Sequence, residues 1–525
     1  MADQVGYHYR DARLGGGEPP HSIIFNPNPL SFPSLPVIPV GSVNRLLELD
    51  DRYTLTSWLF LKLLALIYFA AFLSLAVQIR GLVGPDGILP FQDLLDHLYS
   101  QQGSWAWFNM PTLFWLDSSG AALQGVAIAG CLISLFLLFG VAPRLSLIVL
   151  FLLYLSLSKA GQTFLNFQWD YLILEVGFLA IFITRGPTRL MVLMFHWLLF
   201  RLRFLSGASK LLSGDPSWSG LAALNYYFET QPLPHIGSWY AQQLPQWLLE
   251  AGTAFVLFAE LIVPFFIFLP RPFRISAALI TIAVQIGIIA TSNHNFINLL
   301  TISLCLFLLD NRIVGRVLPK RFHQSALMQM PLGTGLNRLF QVTMIGVASL
   351  ILVISSANMY SLLTGQALPP AINRVAYIGH NYGLGNVYHI FPTMQTERQE
   401  LIIEGSHDGV EWQPYLFRYK PGLLSKAPAL IIPHQPRLDW MIWFIPTQNP
   451  RMDLWFDRFM WQLHRNQPQV TKLLKHNPFE SSPPKYLRIQ VYRYHFTTPK
   501  ERLQTGNWWK REYLGQFPQT PPRQP

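Results

Sequence analysis

Long apolar runs set the layout of the chain, covering about 55–79, 121–141, 143–158, 171–184, 188–205, 248–269, 272–290, 296–310 and 339–357. Several approach or exceed the ~20 residues a helix needs to cross a hydrocarbon core. The shorter ones also fit re-entrant segments. The pattern predicts a polytopic α-helical membrane bundle of about nine spans within residues 51–365. Ahead of it, residues 1–50 are rich in Gly, Pro, Asn and Ser and predict a flexible N-terminal arm.

Behind the bundle, residues 366–525 change character. Leu487, Ile489 and Val491 alternate with Arg488, Gln490 and Tyr492, as in a half-buried strand. Apolar strand residues flank Asp408-Gly409, a pair that favours a tight hairpin turn. Asn449-Pro450 offers a cap and a first-turn proline for a helix running to about His464. The expectation is a soluble, β-rich α+β C-terminal domain with a β-sandwich-like core and an added helix.

Two polar interruptions break the bundle. Residues 80–120 carry Trp105, Trp107, Phe108, Phe114 and Trp115, aromatics suited to headgroup depth. Arg201–Tyr240 holds Lys210, a Gly214-Asp215-Pro216 turn and the aromatic run Tyr226–Glu229, within an outer segment at 206–246. Long polar connections between spans are where membrane proteins keep chemistry or binding surfaces.

Composition supports the bilayer reading, because only 13% of the 525 residues are charged, against about 25% in soluble domains. Cys131 and Cys305 both lie in apolar runs, which leaves no disulfide framework and no cysteine metal site outside the membrane. There is no Asn-x-Ser/Thr sequon and no apolar signal-peptide core in the first fifty residues. The missing disulfide framework and sequon fit a bacterial inner membrane better than a eukaryotic secretory pathway; in a eukaryote the membrane expected is the endoplasmic reticulum. The net charge is +11, and residues 371–525 hold 19 Lys+Arg against 11 Asp+Glu, or +8. Without a dense basic cluster this reads as a solvated domain, so no nucleic-acid partner is expected.

Flanking cations set an expected topology. Arg45, Arg52, Arg144, Arg185, Arg189, Arg271, Arg274, Arg312, Arg316, Lys320 and Arg321 collect at the N-terminus and at the even-numbered connections. The positive-inside rule then puts the N-terminus in the cytoplasm and, after nine spans, the outer segment and the C-terminal domain outside.

Catalytic signatures are missing: no G-x-S-x-G elbow, P-loop, H-E-x-x-H or G-x-G-x-x-G opening a helix. No metal and no cofactor is expected, and no inverted repeat suggests a transporter. The candidates that remain are intramembrane or near-membrane charges. Lys210 reads as an interfacial cation reaching lipid phosphate or Asp215, or else as a desolvated base. Asp215 reads as the cap of a helix begun by Pro216, or as a ligand-binding group. Asp170, Glu175 and Glu260 are costly in a membrane unless paired, so they are functional candidates or partners of Arg201, Arg203 and Lys210. Asn166 and Asp170 share a face if a helix begins at Asn166. His294 reads as a hydrogen-bonded structural group.

The run NFQWDYLILEVGFLAIF (Asn166–Phe182) resembles the lipase maturation factor family, whose members carry a nearly identical FQWD…LLLE-x-GFL run. The likeness recurs at KLLSGDPSW (Lys210–Trp218), ETQPLP (Glu229–Pro234) and FINLLTISLCLFLLD (Phe296–Asp310). In the tail it continues at IIEGSHDGVEW (Ile402–Trp412), PHQPRLDW (Pro433–Trp440) and GNWWKREYLGQF (Gly506–Phe517). Three stretches depart from the family pattern: Tyr227-Phe228 replaces a usual His-Tyr, N-H-N-F at Asn293 replaces N-Y-G-F, and RLDWMIWF replaces RLDWQMWF. The resemblance implies a membrane protein that assists folding and assembly of exported lipases or other secreted clients, a maturation role rather than catalysis. The implied client-binding or signature residues are Trp169, Asp170, Gly214, Pro216, Trp218, Glu229, Thr230, Gln231, Pro232, Trp412, Arg437, Asp439, Trp440, Trp508 and Trp509. The tail tryptophans Trp412, Trp440, Trp508 and Trp509 read as core or inter-domain packing rather than as a binding site. A shorter likeness is at SGASKL followed by Trp218, similar to the stretch around the catalytic lysine of vitamin K-dependent γ-carboxylase and its bacterial membrane relatives. It implies an alternative, an integral membrane enzyme using Lys210 as a base with Asp215, Glu175 or Glu260.

Overall fold

The computed structural model describes residues 40–330, 337–447 and 454–517. Residues 1–39 of the expected arm, and the expected Asn449-Pro450 cap, lie outside the described residues. The apolar runs fold as α1 (Asp51–Ala76), α2 (Gly120–Phe139), α3 (Pro143–Ala160), α4 (Gln168–Ala180), α5 (Arg189–Leu212), α6 (Gln246–Phe268), α7 (Arg271–Thr291), α8 (Ile297–Cys305) and α9 (Arg338–Thr364). Among the described residues, seven of these are long and apolar enough to cross a bilayer, where about nine spans were expected. The other two, α4 and α8, are each extended only by a 3-10 turn, Ile181–Ile183 and Leu306–Leu308. The physical reason is their position. Nearly every residue of α4 and α8 is buried by protein, so neither helix has to match the thickness of a lipid layer.

Local signals explain the ends. Ser119 caps α2 by accepting from the Ala122 N–H at 3.1 Å. Thr188 does the same for α5 through the Met191 N–H at 3.2 Å. At the centre lies α5, with Leu198, Leu199, Leu202 and Leu205 buried on one side and Arg201, Arg203 and Lys210 buried as well.

The tail contains one four-stranded antiparallel sheet in the order β2-β1-β3-β4, from β1 (Arg398–Ser406), β2 (Gln413–Pro414), β3 (Tyr486–Phe496) and β4 (Trp509–Gln516). The expected hairpin is there: Glu404 pairs with Pro414, and Asp408-Gly409 makes the turn with Gly409 at φ +79°. The Asp408 carboxylate accepts the N–H groups of Val410 and Glu411, which hold it below its ordinary value. The expected β-sandwich is absent among the described residues. Helices supply the second layer instead, because Leu401, Ile403 and Ile489 of the sheet share one core with Leu438, Ile442 and Phe459.

That core runs without a break from the bundle into the tail, taking in Leu174 and Val176 of α4 together with Tyr388 and Trp440. A smaller cluster joins Trp239 of the outer segment to Tyr494, Phe496, Trp508 and Trp509. Gly81 permits a third close approach. A Cβ there would meet the Gln469 carbonyl oxygen at 2.5 Å, so the tail helix Pro468–Thr471 packs directly on Ile79–Val83.

Candidate functional site: a polar seam between bundle and tail

The buried charges of the bundle lie in separate knots, and each knot takes at least one partner from the tail. The first is built on Asp170 in the first turn of α4. Arg437 binds it through two parallel bonds, Nη1 to Oδ2 at 2.6 Å and Nη2 to Oδ1 at 2.7 Å. The Tyr154 hydroxyl donates to Oδ1 at 2.6 Å, and Arg437 Nη1 also reaches the Phe164 carbonyl at 3.0 Å. Both charged side chains are shut off from solvent, and the bidentate geometry offsets the cost of burying them, while Arg437 Nε has no partner among the described residues. Burial works against the Arg437 charge, but Asp170 outweighs it and holds the guanidinium above its ordinary value. Trp169 and Trp440 close the knot edge to face, with centroids 5.1 Å apart.

The second knot lies one turn further along α4. Glu175 pairs with Arg201 of α5 and accepts from the Tyr388 hydroxyl at 2.8 Å, while Arg201 Nη1 donates to the Asn386 carbonyl at 3.0 Å. The third joins α5 to α6. Lys210 Nζ lies 2.7 Å from Glu260 Oε2, and Arg203 lies 3.3 Å from Oε1 of the same carboxylate. The ammonium also donates to Ser206 Oγ at 2.9 Å, the Ser206 carbonyl at 3.2 Å and the Ile390 carbonyl at 2.9 Å. Asp215 stands apart, accepting from the Ser217 and Met394 N–H groups at 2.7 and 2.6 Å. It caps the helix Pro216–Ser219, with Pro216 in its first turn and Gly214 at φ +71° before it. Asn386, Tyr388, Ile390 and Met394 thus form one strap that meets these groups in turn.

The ETQPLP motif is the socket for the sheet. Arg398, the first residue of β1, donates to the carbonyls of Glu229, Gln231 and Pro232 at 2.9, 2.5 and 3.0 Å. Glu229 accepts from the Phe496 N–H at 2.7 Å and bonds His495 Nδ1 at 2.9 Å. The Thr230 carbonyl accepts from Trp443 Nε1 at 2.7 Å. On the tail side, Glu400 pairs with Arg398 and Lys420 at 2.6 and 2.7 Å. Asp439 accepts the Tyr419 and Lys420 N–H groups at 2.7 and 2.9 Å, while burial raises its carboxyl above the ordinary range.

These placements correct several expectations. Lys210 pairs with Glu260 rather than Asp215 or lipid, because it points inward from α5. Asp170 pairs with a tail arginine and not with Arg201, Arg203 or Lys210. Asn166 precedes α4, which begins at Gln168, so it shares no helix face with Asp170. Lys210 and Glu260 meet each other, whereas Glu175 pairs with Arg201 and Asp215 bonds the Ser217 and Met394 N–H groups. A general base needs an open lone pair, and the Lys210 ammonium is instead committed to four acceptors; the enzyme alternative finds no support here. Trp218 lies 5.1 Å from the Lys210 Nζ. Trp508 packs at 5.5 Å from Trp239, Trp509 stacks on Phe496 at 4.3 Å, and Trp412 is covered by Arg488 at 4.1 Å. The residues sequence reasoning missed are Tyr154, Tyr388, Arg398 and Glu400. Of these only Arg398, a cation just ahead of the apolar run Leu401–Ile403, left a trace in the sequence.

The relatives agree with this layout. Residues 55–316 match the family described as lipase maturation factor transmembrane domain, and residues 384–519 match lipase maturation factor C-terminal domain. Lipase maturation factor 1 of Mus musculus is 32% identical over 97% of this chain and 92% of its own length. The chain belongs to the lipase maturation factor family. Lipase maturation factor 2 of Gallus gallus is 31% identical over 87% of this chain and 80% of its own length. Lipase maturation factor 1 of Homo sapiens is 32% identical over 94% of this chain. No solved structure matches.

Within the family pattern, two departures meet in space. The His and Tyr usual at 227 and 294 are exchanged here, and the Tyr227 hydroxyl lies 2.6 Å from His294 Nε2. Burial, then the Lys210 charge, push the His294 imidazole down to about 3, so the bond is one between neutral groups. In the same N-H-N-F stretch, Asn295 stands at φ +47°, which Asn tolerates better than most residues. Tyr227→Phe is expected to cost about 1–3 kcal/mol by stranding His294. The reciprocal exchange Tyr227→His with His294→Tyr is expected to recover most of a single variant's loss in a thermal-unfolding double-mutant cycle.

Proposed function

We propose that this protein is a membrane-embedded maturation factor that assists folding and assembly of exported lipases or other secreted clients. The observation that carries the reading is similarity to lipase maturation factors along most of both chains. The seam supports it physically. Its signature residues are mostly buried, so in this reading they act by fixing the tail and outer segment as one rigid platform, and the client meets the platform's exposed surface.

The chain then divides into an arm (1–50), a membrane domain (51–365) with its outer segment (206–246), and a soluble C-terminal domain (366–525). The N-terminus is cytoplasmic and the C-terminal domain lies outside, in a bacterial inner membrane. In this reading α4 and α8 also traverse the bundle, giving nine passages. Support comes from their far ends: the Asp50 N–H donates to the Pro187 carbonyl at 2.7 Å, and Asn311 Nδ2 donates to the Asp51 carbonyl at 2.7 Å. Both ends therefore sit beside the start of α1. The test is deletion of the gene in its host, with activity and amount of secreted lipase as readouts. A fall that the wild-type gene restores is expected, and unchanged yield removes the reading.

A further inference from the structure

A cavity of about 220 Å³ opens where α1 and α2 end on one side of the bundle. Val77 and Gln78 follow the last turn of α1, Arg80 belongs to the helix Ile79–Val83, and Gln124 lies in the second turn of α2. Gln469 and Lys472 close it from the tail, brought in by the close packing at Gly81. We propose that this cavity binds the headgroup phosphate of an anionic phospholipid.

Three observations carry the proposal. The first is charge. The lining holds two cations and no carboxylate, and among the described residues neither Arg80 nor Lys472 has a carboxylate within ion-pair distance. The one side-chain partner of Arg80 is Gln124 Oε1, at 3.4 Å. Arg418 adds a third cation alongside, its guanidinium donating to the Lys472 and Leu473 carbonyls at 2.8 and 3.1 Å. Guanidinium, ammonium and amide donors around one opening suit phosphate oxygens. A choline or ethanolamine headgroup would bring an ammonium that finds no carboxylate here, so the site favours a lipid of net negative charge.

The second is depth. The cavity lies at the ends of two membrane helices, where hydrocarbon gives way to headgroups. The connection that follows carries Trp105 and Trp107 exposed, aromatics that settle at that level. The third is the surface below. Leu66 and Leu73 on α1, Val77 just after it, and Ile128 and Leu132 on α2 are exposed in a line toward the opening, a bed for acyl chains.

The test is native mass spectrometry of the purified full chain in detergent, offered phosphatidylglycerol, phosphatidylcholine or inorganic phosphate. The wild type is expected to retain phosphatidylglycerol over phosphatidylcholine. The variant Arg80→Gln with Lys472→Gln is expected to lose about tenfold or more in bound phosphatidylglycerol, from two cations near the surface. Gln469→Glu, which places a carboxylate beside both cations, is expected to lose it similarly and serves if the double variant unfolds. Equal retention by both variants, or preference for phosphatidylcholine, overturns the proposal. Binding of inorganic phosphate that excludes phosphatidylglycerol overturns it too, in favour of a free-anion site.

Discussion

Replacing Arg437 by leucine is expected to destabilise the protein by about 3–5 kcal/mol, the cost of leaving one partner of a buried ion pair alone. The magnitude follows from the surroundings. Asp170 is wholly buried and keeps only the Tyr154 hydroxyl and one backbone N–H as donors once the guanidinium is gone. Arg437 also bonds the Phe164 carbonyl, and its own N–H donates to Gln78 Oε1 at 2.9 Å, so the leucine variant keeps the second contact but not the first. Tryptophan fluorescence during thermal unfolding in detergent reads the loss directly, because Trp169 and Trp440 flank the pair. Adding Asp170→Asn should return much of the lost stability, since it removes the stranded charge. If the double variant is no better than Arg437→Leu alone, the seam does not work through this pair.

Arg398→Ala is expected to free the sheet from the bundle while leaving the membrane helices folded. The substitution removes three charge-assisted bonds to the Glu229, Gln231 and Pro232 carbonyls and leaves Glu400 with Lys420 alone. Bonds to charged groups contribute about 1.5–3 kcal/mol each, so the docking loses more than the local fold does. Limited proteolysis should then release a fragment near the strap at 384–394, and secreted lipase yield should fall with it. A protease-resistant variant with normal yield would separate docking from function.

The sequence made some of this legible and hid the rest for identifiable reasons. Apolar runs located α1 to α9 because hydrophobic length is a local property. They overcounted the long spans because α4 and α8 are apolar yet buried in protein, which hydropathy reads as lipid-facing. The Asp408-Gly409 hairpin was visible since its turn chemistry is carried by adjacent residues. The sandwich was not correctly anticipated, because alternating strands do not say what covers their inner face. The cost of an unpaired membrane carboxylate pointed correctly to Asp170, Glu175 and Glu260, and for two of them to the right cations. For Asp170 it failed, because the partner lies 267 residues away and in the tail. The ETQPLP motif stood out only as a family signature; its part as a socket depends on its carbonyls, which no side-chain pattern displays.

That separation of 267 residues also sets an order of events in biogenesis. At ribosomal speeds of about 5–20 residues per second, roughly 13–50 seconds pass between synthesis of Asp170 and synthesis of Arg437. During that interval α4 carries a carboxylate with no cation assigned to it. The bundle therefore waits in an unfinished form, with α4 unlocked, and is completed by the last third of the chain. A protein truncated before Arg437 would keep the strap and β1 but lack β3, β4 and the cation that completes Asp170.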